Sequence, residues 1–122
     1  LYTNNRIAKL QGENDFDGII AVADEMLAVN PQDALAQKIR LQALFDKKDY
    51  AGVIASAEEA AAGQTDEEER SDVYFILGAA YNARTMPQQA IDALSKVTAG
   101  ANVAAAQKTV AQLKENAAKA NS

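Results

Sequence analysis

The stretch Tyr74-Phe75-Ile76-Leu77-Gly78-Ala79-Ala80-Tyr81, followed by Pro87 and then Ala90-Ile91-Asp92-Ala93-Leu94, decides how this chain is read. Tyr74, Leu77, Gly78 and Tyr81 fall at i, i+3, i+4 and i+7, one face of an α-helix. A glycine on that face removes a side chain where a second helix must come close, and Tyr81 fills the space beside it. Pro87 suits the first turn of the following helix, where its missing N–H has no intrahelical partner to lose. Ala90, Ile91, Leu94 and Val97 then carry the apolar face of that helix, which Gly100 is expected to end.

Working outward, the same layout returns. Asp49-Tyr50-Ala51 and Asp15-Phe16-Asp17 each open an apolar helical stretch, and Phe16 and Tyr50 are 34 residues apart. Met86-Pro87-Gln88 is the third counterpart, 37 residues on, with the extra length taken up in the polar segment Gly63 to Glu69. The helices expected from caps and breakers run from Leu1 to about Gly12, Phe16 to Val29, Pro31 to about Lys48, Tyr50 to Ala62, Thr65 to about Arg84, Pro87 to Gly100 and Val103 to about Ala118. Asn30-Pro31 stops the second, because a residue before proline avoids helical geometry. Gly63 reads as a left-handed C-terminal residue, Thr65-Asp66-Glu67-Glu68 as a capping box, and Asn102 as the cap of the last helix. No alternating strand pattern competes.

Composition agrees. The 122 residues fit one domain of about 100–200 residues, and 48% apolar content is enough for a core. Aromatics make up 6%, and abundant alanine favours closely packed helices. With 12 basic against 17 acidic residues, the net charge is −5, which argues against nucleic acid as a partner because phosphate binding needs a basic face. Histidine and cysteine are both absent, which removes imidazole bases, thiol nucleophiles, Cys/His metal sites and disulfides. No apolar run approaches the length of about 18 residues needed to cross a bilayer. The chain begins at Leu1 without methionine, read either as a removed leader or as a piece of a longer protein.

The pattern Tyr74-x2-Leu77-Gly78-x2-Tyr81, then Ala90-x3-Leu94, with Asn102 at the proline place, resembles the tetratricopeptide repeat (TPR) family. The first unit matches through Ile7, Leu10, Ile19-x3-Ala23 and Pro31, the second through Leu41, Leu44 and Val53-x3-Ala57; neither has glycine at the place of Gly78. The resemblance implies an all-α, right-handed superhelix of antiparallel helix pairs in a single domain. Its repeats span about residues 1–33, 34–70 and 71–101, and a C-terminal capping helix spans about 102–120. Such an end needs a cap with a wet outer side, and Gln107, Lys108, Gln112, Lys114 and Glu115 supply one.

The resemblance further implies a non-catalytic scaffold that binds a protein or peptide on its concave face. Aligning the units puts Leu1, Asn4, Ala8 and Gln11 there, then Leu35, Lys38, Gln42 and Phe45, then Asp72, Phe75, Ala79 and Asn82. Lys38, Gln42, Phe45, Phe75 and Asn82 are the expected partner-binding residues, since aromatic anchors with amide hydrogen-bonders suit peptide recognition. Packing between repeats is the other reading of Phe45 and Phe75. The carboxylate clamp by which some members hold chaperone tails is not expected, because Lys38 is the single basic residue at the aligned places.

Other chemistry finds little footing. The run Asp66 to Glu69 lacks the alternating acids and central glycine of a calcium loop and reads as a helix start. Ser56, Ser71 and Ser95 have no histidine partner, no Gly-x-Ser-x-Gly elbow or glycine-rich phosphate loop is present, and a pair such as Asp92 with Glu58 is ordinary helix-surface charge. No cofactor or metal is expected. Two rival functions remain: an assembly module using the terminal helices near Leu1 or Val110 and Leu113, forming a homo-oligomer, or a regulatory segment of a larger protein. An Ala-, Asn- and Gln-rich acidic chain without cysteine resembles bacterial cell-envelope members of the family, which points to the periplasm ahead of the cytoplasm.

Overall fold

The computed structural model describes residues 9–10, 12–13 and 15–120. Lys9, Leu10 and Gly12 are helical; the remainder of the first expected helix, including Leu1, Asn4, Ala8 and Gln11, lies outside the described residues. Six helices follow: α1 (Phe16–Val29), α2 (Ala34–Asp46), α3 (Tyr50–Ala62), α4 (Glu67–Ala83), α5 (Pro87–Leu94) and α6 (Val103–Ala120). No strand occurs among the described residues. The protein is all-α.

Each helix packs against the one before it and the one after it, and α2 also touches α4. A helix of 13 residues such as α2 is about 20 Å long at 1.5 Å per residue. The three residues between α2 and α3, 47–49, span about 11 Å at most. Neighbours joined so tightly and packed along their length must run antiparallel.

Aspartates start most of these helices. Asp15 Oδ1 accepts from the Gly18 N–H at 3.0 Å, and 34 residues later Asp49 Oδ1 accepts from the Gly52 N–H at the same distance. A Cβ at either glycine would sit 2.7 Å from the capping carboxylate, so cap and glycine belong together. Asp33 caps α2 through the Ala36 N–H at 3.1 Å. Pro87 stands at the start of α5, without a side-chain cap.

The turns repeat as closely as the caps. The Asp15 N–H donates to the Leu10 carbonyl at 2.9 Å, Asp49 N–H to Leu44 at 2.8 Å, and Met86 N–H to Tyr81 at 2.9 Å. In the second and third turns a companion bond runs from Lys48 to Phe45 and from Thr85 to Asn82, the paired bonding of a Schellman motif. Its left-handed residue is Lys48 (φ +68°) in one and Thr85 (φ +59°) in the other, where glycine would be the default.

The core is thin and rich in alanine. One buried cluster joins α2, α3 and α4 through Leu41, Leu44, Val53, Ala57, Val73, Ile76 and Leu77. A second joins α5 and α6 through Ile91, Leu94, Val97, Ala106 and Leu113. Tyr74 and Tyr81 pack against both. Gly78 is the point of closest approach: a Cβ there would lie 2.5 Å from the Leu94 side chain, in keeping with the role read from its place between Leu77 and Tyr81.

Four local expectations are corrected. Asp66, not Thr65, caps α4, its Oδ1 accepting from the Glu68 N–H at 3.0 Å. Gly63 is right-handed (φ −78°); glycine is needed there because a Cβ would strike the Gln37 side chain. Helix α5 stops at Leu94 rather than near Gly100, because the buried Ser71 hydroxyl captures the Thr98 and Ala99 N–H groups at 3.1 and 3.2 Å and draws the backbone out of the helix. Val97 stays buried beyond the helix end, and Gly100 turns the connection at φ +91°. Asn102 sits at the start of α6, but its side-chain amide donates to Asp72 Oδ1 at 3.1 Å.

Candidate functional site

The five residues expected to form a binding face all lie on α2 and α4, and their environments differ. Lys38, in the middle of α2, reaches across to α4: its Nζ is 2.5 Å from Glu69 Oε2 and 2.8 Å from Asp72 Oδ2. Burial alone draws its pKa down, yet hydrogen bonds to Asp72 and Glu69 outweigh that and hold it above the ordinary lysine value. Asp72 in turn accepts from Asn102. Lys38 is therefore a clasp between two helices and the start of a third, with its charge already met by two carboxylates.

Phe45 is half-buried against the first cluster and meets Tyr50 edge-on, with ring centroids 5.5 Å apart at 62°. Phe75 is half-buried against the second cluster. Both aromatics thus pack between elements, the alternative that the sequence leaves open for them. Gln42 is exposed and donates to Asp46 Oδ1 at 3.0 Å one turn later. Asn82, also exposed, lines a hollow of about 460 Å³ with Thr109, Gln112, Leu113 and Asn116 of α6. Lys108 is the one charged side chain lining that hollow.

Lys38 and Gln42 share a separate hollow of about 240 Å³ with Leu35, Ile39 and Asp46. Leu35 is 54% exposed, the kind of apolar side chain that a partner would cover. The structure therefore brings Lys38 and Gln42 together, places Asn82 with α6, and sets the two phenylalanines into the packing.

Sequence reasoning missed several polar residues with structural work. Buried Gln64 donates to the Ala34 and Ala60 carbonyls at 2.9 and 3.2 Å, tying the start of α2 to the end of α3. Arg40 joins Asp24 of α1 (2.9 Å) to Ser56 of α3 (3.3 Å). Lys47 donates to Asp17 at 2.6 Å, and that hydrogen bond raises its pKa. None of these residues sits in a pattern that hydropathy reveals.

Among the described residues no group of three acidic, histidine or cysteine side chains stands where it would hold a metal ion. None of their helices is long and apolar enough to cross a membrane. Compared with known proteins, the chain matches no family model and no curated relative.

Proposed function

We propose that this protein is a TPR-like helical-repeat scaffold, built as a right-handed superhelix, that binds a protein or peptide segment on the face formed by α2 and α4 and carries out no catalysis itself. The observation that carries the reading is the recurrence at 34 residues of one local device, an aspartate cap facing a glycine at Asp15–Gly18 and Asp49–Gly52. The repeated turn bond at Leu10, Leu44 and Tyr81 and the contact of α2 with α4 across the intervening α3 support it as well. A stack whose members touch their neighbours leaves long side faces open, and such faces are what repeat proteins use for binding.

On that face Gln42 and Asn82 supply exposed amides, Leu35 an exposed apolar contact, and Lys38 holds α2 and α4 at a fixed separation. Phe45 and Phe75 shape the floor from below. The mixture fits an extended segment whose backbone bonds to amides and whose apolar side chains fall into the hollow beside Leu35.

The test is site-specific photocrosslinking. A photoreactive residue at Gln42 or Asn82 is expected to capture a partner from an extract of the native source that the same group at Ala51, an exposed place on α3, does not capture. Gln42→Lys with Asn82→Lys, folded by circular dichroism, should lose the capture. Equal yields from both faces would remove the reading.

A further inference from the structure

The last helix carries a groove on a different face, and it points to a partner of definite chemistry. α6 is the longest helix, with 18 residues, and it packs on α5 as its one sequence neighbour among the described helices. Beside that contact lies a hollow of about 530 Å³. Val103, Val110, Ala111 and Lys114 edge it from α6, and Leu94 and Val97 face them from the end of α5 and the loop beyond. The α6 residues recur at i, i+7, i+8 and i+11, one stripe about 17 Å long at 1.5 Å per residue.

We propose that this groove docks an acidic amphipathic helix from a separate polypeptide. Three observations select that occupant. A valley between two apolar ridges accepts the side-chain ridge of a third helix, and a helix satisfies its own backbone, which an extended segment laid on valines and leucines would not. A helix placed there would also lie on α6 as each earlier helix lies on its successor. The charge is equally specific. Lys114 is the one charged side chain lining the groove, and among the described residues it forms no ion pair. A second copy of the chain is disfavoured, because two bodies of net charge −5 repel each other, whereas a helix bearing a carboxylate at the end of its apolar stripe meets Lys114 directly.

The experiment uses the whole chain and two fluorescein-labelled helical peptides of about 12 residues. Both have leucines at i, i+3, i+4 and i+7; one carries glutamates at its end and its twin carries lysines. Anisotropy titration is expected to give the acidic peptide a Kd at least about tenfold below its twin, a difference that shrinks as salt rises. Lys114→Glu should invert the order. Ala111→Glu, at an exposed place in the groove, should abolish binding with the circular dichroism unchanged, and Gln42→Ala should leave it as it was. Equal affinities, or no binding by either peptide, overturn the proposal. So does a concentration-dependent mass in sedimentation that Ala111→Glu abolishes, since the occupant would then be a second copy.

Discussion

Thr85 stands at φ +59°, in a region that a β-branched side chain enters only under strain. The left-handed conformation costs a non-glycine residue about 1–2 kcal/mol, so Thr85→Gly should raise the urea midpoint by that much without changing the slope; a fall would mean that the side chain holds something in place. Gly78 makes the opposite case. Its missing Cβ leaves room for Leu94, so Gly78→Ala should destabilise by about 1–3 kcal/mol. Combining it with Leu94→Ala should cost less than the two single changes summed, because the shorter side chain vacates the clash; strict additivity would refute the contact. Of these positions Gly78 was legible, since its helical spacing from Tyr74 and Tyr81 marks a face that another helix approaches. Gly63 was misread as a conformational glycine because sequence does not say that Gln37 occupies the space a Cβ would need.

Between elements, polar side chains set the connections. Ser71 is buried and accepts two N–H groups of the loop from 95 to 102. Ser71→Ala should strand both donors and lower stability by about 1–3 kcal/mol, with faster amide exchange at Thr98 and Ala99 as the local readout; unchanged exchange would contradict the capture. Lys38 offers a pH test. Its folded pKa lies above the ordinary 10.5, so the stability it contributes is complete below that value and disappears as pH rises through the higher folded one. Above pH 10.5 the parent should therefore lose urea resistance more steeply than Lys38→Met, and parallel curves would show that the clasp with Glu69 and Asp72 contributes nothing. Helix number and type were readable from apolar spacing and from Pro31, Pro87 and the aspartates. The end of α5 was not, because a hydroxyl 27 residues back in the chain decides it. The proposed binding face was legible as a set of places, but whether Phe45 or Lys38 is free to meet a partner depends on neighbours across the stack.

Across the whole molecule, two buried clusters share Tyr74 and Tyr81. Tyr81→Ala should remove about 2–3 kcal/mol and broaden the urea transition, as the α5–α6 end begins to melt ahead of α2–α4; a transition shifted intact would mean that the clusters are joined by other contacts. Nearest-neighbour stacking also bears on how the protein comes into being. No helix has to wait for a distant part of the chain, and even the bridge from Lys38 to Asp72 spans 34 residues. Chains organised this way close short loops first and fold quickly. During synthesis α1 and α2 can pair as soon as both have emerged, so that each later helix meets a surface already formed and apolar segments spend little time exposed.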